Sequence, residues 1–214
     1  MPFLVAIAGG SGSGKTTTAF QLVELLRPLK AHILAQDDYY KDSRTIAGFD
    51  PATYNFDSPE ARDHTLLAAH LQAIKADEIV EVPIYDFIIH GRLEATHRLP
   101  KSDIILLEGT HTLCDKSIID LCDLKIFIDT PDDIRLLRRF IRDIHTRGRT
   151  PESVAAQYLS TVRPAYERWI GPSKACADLI VSGETGVQGD GTLPTRAASQ
   201  IAQAIRTALD HKIN

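Results

Sequence analysis

Cysteine is scarce in this 214-residue chain: Cys114, Cys122 and Cys176 are odd in number and far apart. They build neither a disulfide framework nor a C-x-x-C metal pattern, so reduced core thiols are expected. A basic surplus is also missing, with 24 Lys+Arg against 28 Asp+Glu and a formal net charge of −4. A dedicated nucleic-acid binder carries the opposite balance, so no nucleic-acid partner is expected. No apolar run approaches the roughly 18 residues of a membrane span. The apolar start, Met1–Gly10, lacks a basic n-region and runs straight into a glycine-rich turn, which marks a buried first strand rather than a signal peptide. No membrane partner is expected, and the cytoplasm is the default location. With 43% hydrophobic and 24% charged residues, the chain is globular in composition. Its length suits one domain, 1–214, whose core needs no covalent staple.

Short apolar runs alternate with longer amphipathic stretches, the pattern of an α/β protein. Strands are predicted at Phe3–Ala8, His32–Ala35, Ile104–Leu107, Leu124–Ile128 and Leu179–Val181, all apolar enough for a parallel sheet covered on both faces. Helices are predicted at Lys15–Leu26, Ala61–Lys75, Pro131–His145, Pro151–Trp169 and Arg196–His211, with Pro131 and Pro151 in first turns that tolerate proline. Asp42–Asp57 reads as a long loop, which in a compact domain is usually functional. Ile79–Leu99 alternates as a small antiparallel hairpin with a turn at His90-Gly91, and Ser182–Pro194 reads as a polar surface loop.

Gly9-Gly10-Ser11-Gly12-Ser13-Gly14-Lys15-Thr16 matches G-x-x-x-x-G-K-[ST] between a buried strand and a helix. Glycines let successive main-chain N–H groups and the helix N-terminus close on a phosphate. Lys15 then reaches the β/γ-phosphates, and the Thr16 hydroxyl can ligate Mg²⁺. Two acids follow strands: Glu108 ends the run Ile104–Leu107, and Asp37 follows His32–Ala35. Ligands of open α/β sheets bind at that carboxyl edge, so both acids are candidates for metal and proton chemistry. Asp129 and Asp132 flank Pro131 and are expected to cap a helix instead.

Six arginines and no lysine lie between Arg135 and Arg149. On a helix, Arg135, Arg138, Arg139 and Arg142 share about a third of the circumference, opposite Ile134, Leu137, Ile141 and Ile144. Arginine forks bind phosphate bidentately, and Arg147-Gly148-Arg149 places a joint at the helix end. The region 131–150 is therefore expected to form a lid over the phosphates.

With these residues in view, the chain resembles the uridine kinase (uridine–cytidine kinase) family of P-loop nucleoside kinases. The resemblance runs from about Val5 to Val181 and rests on ordered motifs: GGSGSGKTT (Gly9–Thr17), QDDYYKD (Gln36–Asp42), YNFDSPEA (Tyr54–Ala61), VPIYDFIIHGR (Val82–Arg92), LLEG (Leu106–Gly109), RRFIRDIHTRGR (Arg138–Arg149) and QYLSTVRPAY (Gln157–Tyr166). Phosphoribulokinases and pantothenate kinases share parts of this set without the hairpin motif in this form.

The resemblance implies a P-loop kinase fold: a five-stranded parallel sheet flanked by helices, with the hairpin (about 79–99) arching over a nucleoside. It implies transfer of the γ-phosphoryl of ATP (or GTP) to the 5′-hydroxyl of uridine and cytidine, a pyrimidine salvage step, by a homo-oligomer, commonly a tetramer. Asp37 would be the general base, with Lys15, Arg147 and Arg149 also catalytic. Gly9, Gly10, Ser11, Gly12, Ser13, Gly14, Lys15, Thr16 and Thr17 would bind ATP, while Thr16 and Glu108 would hold Mg²⁺. Asp37, Tyr40, Phe56, Asp57, Tyr85, His90, Arg139, Arg142 and Gln157 would line the nucleoside pocket. The chain departs from the family pattern at Thr110, His111 and Thr112, where apolar residues are usual, at Ser58, where histidine is common, and at Arg62, where Phe or Met is common. His111 is expected to be a structural histidine.

Overall fold

The computed structural model describes residues 1–51, 53–183 and 196–213. Its strands are β1 (Phe3–Ala8), β2 (Ala31–Ala35), β3 (Glu81–Asp86), β4 (Gly91–Arg98), β5 (Ile104–Glu108), β6 (Leu124–Asp129) and β7 (Leu179–Ser182). Five of them form one sheet in the order β2-β5-β1-β6-β7, with every pairing parallel. All six residues of β1 are buried, as both faces of a parallel sheet require. Alternate residues serve different cores. Leu4, Ala6 and Ala8 join Leu67, Leu71 and Phe127 on one face, whereas Phe3, Val5 and Ile7 join Leu22, Ile201 and Ile205 on the other.

The helices supply those partners: α1 (Lys15–Leu25), α2 (His64–Lys75), the short α3 (Lys116–Ile119), α4 (Asp132–Arg147), α5 (Pro151–Gln157) and α6 (Arg196–Ile213). Beyond α5 the chain stays helical to Ser173 through π-type turns at Tyr158–Val162 and Tyr166–Ile170. Pro164 and Pro172 each follow one of these wider turns. A π turn relieves the clash between a proline ring and the carbonyl of the preceding turn, so the helix survives both prolines.

The predicted strands and helices all appear, with shifted ends. β2 begins at Ala31, and β5, β6 and β7 each run one residue further, to Glu108, Asp129 and Ser182. The helix predicted from Ala61 begins at His64. Pro59–Ala61 is a 3-10 turn, Arg62 is extended, and Asp63 caps the helix by accepting from the Leu66 N–H at 3.0 Å. Pro131 stands outside α4 as its N-cap, with ψ of 145° and no side-chain cap. Asp129 and Asp132 therefore cap nothing: Asp129 pairs with Lys174, and Asp132, inside the first turn, pairs with Arg135. Two acids in that turn, Asp132 and Asp133, still complement the positive end of the helix dipole.

All three cysteines are free, but Cys176 is exposed on the turn Lys174–Cys176 rather than in the core. Burial pushes the thiols of Cys114 and Cys122 up to about 11 and about 12. Most of the loop predicted at Ser182–Pro194 lies outside the described residues.

β3 and β4 form a separate antiparallel hairpin with a register irregularity between Pro83 and Tyr85. Its tip turns through His90, whose φ of 53° is left-handed. Among its described residues, the loop over 42–57 contains one 3-10 turn, Ser43–Thr45.

At Gly12, φ is 81°, and an added Cβ would stand 2.3 Å from the Arg135 carbonyl oxygen. The turn after β1 is thus pressed against the start of α4. Gly12→Ala is expected to cost roughly 1–3 kcal/mol of stability through a strained backbone and this clash. Denaturant unfolding of the two proteins measures the difference.

Candidate active site

The turn from β1 into α1 bends through Gly9, Gly10, Ser11, Gly12 and Ser13 to Gly14, the left-handed N-cap of α1. Lys15 opens that helix, buried, and folds back to donate from Nζ to the Gly10 carbonyl at 3.0 Å. This spans the turn and leaves α1's first N–H groups available to an anion. Thr16 and Thr17 follow on the exposed side of the helix start. The Thr16 hydroxyl donates to Oε1 of Glu108 at 3.0 Å.

Sheet register brings the acids here. β5 lies between β1 and β2, with Glu108 opposite both Ile7 and Ala35. The turn Gln36–Tyr39 follows at once and carries Asp37 to the same edge, its side chain 49% exposed. Burial raises the Glu108 pKa, opposed chiefly by the Lys15 ammonium. Burial likewise lowers Lys15 to about 8, against the pull of Glu108 and Asp37.

α4 turns its arginines inward. Leu137 and Ile141 are 63% and 60% exposed, whereas Arg135 and Arg139 are buried. Arg135 donates to the Thr130 carbonyl at 3.1 Å and stacks 3.8 Å from the Tyr166 ring centroid. Arg138 donates to the Gly183 carbonyl at 3.0 Å. Arg139 reaches the phosphate turn itself, donating to Ser11 Oγ at 2.8 Å and to Gln157 Oε1 at 2.7 Å. Arg149 also bonds Gln157 and donates to Ser153 Oγ at 3.1 Å.

Between these groups lies Asp143, a fully buried carboxylate. Arg139 approaches it at 3.3 Å, Arg142 at 2.9 Å and Arg147 at 3.4 Å. The sequence reading overlooked Asp143. Its signal was the spacing, one helical turn after Arg139 and one before Arg147. Arg147 also lies 6.0 Å from the Phe87 ring centroid, so the end of α4 meets the hairpin tip.

Tyr40, buried, centres an aromatic cluster: Tyr85, Phe56 and Phe87 lie 5.1, 6.1 and 6.2 Å from its ring. His90 faces Phe56 at 4.9 Å, with the two planes 30° apart. Asp57 Oδ2 accepts from Thr161 at 2.7 Å, which ties this loop to the helix following Gln157. The departures from the family pattern also gather here. Arg62 bonds Asp37 and Thr110, and the Thr110 hydroxyl faces His111 Nδ1 at 3.1 Å. His111 is fully buried, and burial drives it down to about 2, so it is neutral at ordinary pH. The structure thus gathers the phosphate turn, Asp37, Glu108, Thr16, Arg139, Arg142 and Gln157 at one sheet edge. Tyr40, Phe56, Tyr85 and His90 form the adjoining wall.

A phosphate-binding turn at a parallel sheet edge, two acids beside it and an arginine-faced helix against it define a P-loop phosphotransferase. Residues 4–187 match the Phosphoribulokinase / Uridine kinase family, and the chain belongs to that family. It is 45% identical to a uridine kinase of Lactobacillus johnsonii over 193 residues, 88% of this chain and 91% of that protein. With a uridine kinase of Bacillus mycoides it shares 40% identity across 100% of this chain and 97% of that protein. Among solved structures, phosphoribulokinase from Rhodobacter spheroides matches its fold with a TM-score of 0.64 at 22% identity, covering 85% of this chain and 70% of that one. D-glycerate 3-kinase from Cryptococcus neoformans has a TM-score of 0.60 at 18% identity, covering 85% of this chain and 86% of that one.

Two outcomes follow from the charges. Above pH of about 8 burial leaves Lys15 largely neutral, and a bound phosphate would restore its proton. The affinity for metal-free ATP should therefore fall above pH 8, by up to about tenfold per pH unit. Calorimetry in EDTA at pH 9, in buffers of different ionisation heat, should report proton uptake on binding. Asp143→Ala leaves three arginines without their shared carboxylate and is expected to cost about 3 kcal/mol in denaturant unfolding.

Proposed function

We propose that this chain transfers the γ-phosphoryl of ATP (GTP being the other candidate donor) to the 5′-hydroxyl of uridine and cytidine, giving UMP and CMP. The observation that carries this reading is the contiguity of three parts. Asp37 lies between the phosphate turn with its Lys15 and an aromatic wall of Tyr40, Phe56, Tyr85 and His90 that suits a planar base. The relatives named as uridine kinases support the same acceptor class.

Each residue then has a role in its own place. The Gly9–Thr17 turn and Lys15 hold the triphosphate, and Lys15 meets charge developing at the β/γ-phosphates. Thr16 and Glu108 offer a hydroxyl and a carboxylate side by side, a hard-oxygen pair suited to Mg²⁺ entering with the nucleotide. Among the described residues no cluster of three or more His, Cys, Asp or Glu could hold a metal by itself. Such an ion would neutralise the triphosphate during transfer. Asp37 accepts the proton of the acceptor hydroxyl. Arg139, Arg142 and Gln157 reach from the phosphates toward the sugar, and Arg147 and Arg149 close over the phosphates late. Asp57 and Tyr40 bound the sugar side. A neutral His90 imidazole has one donor and one acceptor nitrogen, which a change of tautomer exchanges, so it can serve either pyrimidine edge. We further propose a homotetramer working in the cytoplasm in pyrimidine salvage. Among the described residues no helix is long and apolar enough to cross a membrane.

The test is ADP release over a nucleoside panel. Uridine and cytidine should each stimulate release strongly, purine nucleosides weakly, and ribulose 5-phosphate not at all. Stimulation by the sugar phosphate but not by uridine would overturn the assignment. Asp37→Asn should keep ATP and uridine binding while losing about 10²–10⁴-fold in kcat.

A further inference from the structure

The buried end of the acceptor pocket contains a cation that no expected role uses. Arg62 is held in place by the backbone: it bridges Tyr40 in antiparallel fashion, and the Lys41 N–H donates to the Ala61 carbonyl at 2.9 Å. Its side chain is only 3% exposed. The guanidinium lies 4.2 Å from the Tyr40 ring centroid. Nη1 donates to the Phe56 carbonyl at 3.3 Å, while Nη2 is within 2.6 Å of the Tyr40 hydroxyl and 3.2 Å of Asp37 Oδ1. A weaker contact at 3.4 Å joins it to Thr110 Oγ1.

A buried guanidinium needs a counter-charge. Among the described residues the only carboxylate within ion-pair distance of Arg62 is Asp37. Asp37 is itself a short, half-exposed side chain on a 3-10 turn, so without Arg62 its carboxylate is free to rotate. One oxygen, Oδ1, is engaged, and Oδ2 has no hydrogen-bond partner among the described residues. Besides the long contact with Thr110, the other polar contacts of Arg62 run to Tyr40 and Phe56, the pocket wall, so the group that fixes the acid also fixes the wall.

We propose that Arg62 is a positioning residue for the transfer: it clamps Oδ1 of Asp37 and thereby presents Oδ2 to the acceptor hydroxyl. The proposal rests on Asp37 being the residue that receives that hydroxyl. In the loose transition state of phosphoryl transfer the nucleophile needs alignment more than activation, so fixing the carboxylate matters. An ammonium could reproduce the contacts of Nη2 with Asp37 and Tyr40, but the second arm of the fork, Nη1, is what reaches the Phe56 carbonyl.

A double-mutant cycle with ATP and uridine tests this. Wild type, Arg62→Met, Asp37→Asn and the double variant are compared by single-turnover transfer and by uridine binding, after thermal melts confirm folding. Arg62→Met should lower kcat roughly 10–100-fold, as small misplacements of reacting groups do, with uridine affinity changing less than about threefold. In the Asp37→Asn background the same change should alter the rate less than about threefold, because the partner it acts through is gone. Arg62→Lys should recover part of the rate at most. Equal losses in both backgrounds, or a loss confined to uridine affinity, would overturn the proposal and leave Arg62 as a wall residue. Full activity of Asp37→Asn alone would instead sink the assignment of Asp37, a separate outcome. If Arg62→Met fails to fold, Arg62→Gln enters the same cycle with the same criteria.

Discussion

The molecule is organised around positive charge buried before its anion arrives. Lys15, Arg135 and Arg139 are all buried at the phosphate turn, and among the described residues Asp143 is the one fully buried carboxylate. Burial of such groups is expensive, and Lys15 records the cost by being lowered to about 8. Holding that ammonium protonated at pH 7 costs on the order of 3 kcal/mol relative to water. The sign is that of a depressed cation: stability rises as pH climbs from about 8 toward the unfolded value. A triphosphate reverses the balance, since it supplies the charge the protein lacks. The inward arginines of α4 and its exposed Leu137 and Ile141 invert the usual amphipathic helix for this reason.

Asp143 decides how that charge is arranged. Three guanidiniums drawn to one carboxylate are held apart at fixed places instead of dispersing into solvent. Arg139 is then free to bond Ser11 and Gln157, and Arg149 shares the same Gln157. The apparent excess of arginine is therefore a preorganised set of donors, whose reorganisation cost is met in folding rather than at each turnover.

Much of this was legible in the sequence because the relevant signals are local. The six-residue apolar run before Gly9 and the Gly-rich turn specify β1, the turn and α1 without reference to the remainder of the chain. Glu108 was legible as a strand-end acid because parallel strands deliver their carboxyl ends to one edge. What was not legible depends on tertiary placement. The boundary at Ala61 shifted to His64 because Asp63, not the apolar pattern, sets the cap. Asp129 looked like a cap, but its cation, Lys174, comes from an element that only the fold brings near. Asp132 fell inside the helix, paired with Arg135 three residues on, because Pro131 takes the N-cap position. The inward turn of Arg62 was invisible for the same reason, since an arginine in a loop is ordinarily solvated.

Two kinds of constraint therefore meet at Asp37. On its phosphate side the geometry comes from the sheet: Asp37 follows β2, β2 pairs with β5, and β5 pairs with the strand that feeds the phosphate turn. That side has little freedom, because moving any strand would slip the register of two cores. Toward the aromatic cluster the geometry comes from segments outside the sheet, namely the hairpin, the loop over 42–57 and Arg62, which meet through ring contacts and a few hydrogen bonds. Substitutions at Phe56 or Tyr85, which belong to a separate cluster, alter shape and polarity without touching the two sheet cores. Structures named phosphoribulokinase and D-glycerate 3-kinase share this fold at about a fifth identity, and one fold can host unlike sites. The phosphate turn is tied to the fold, whereas the aromatic cluster beside Asp37 is built from parts that can change.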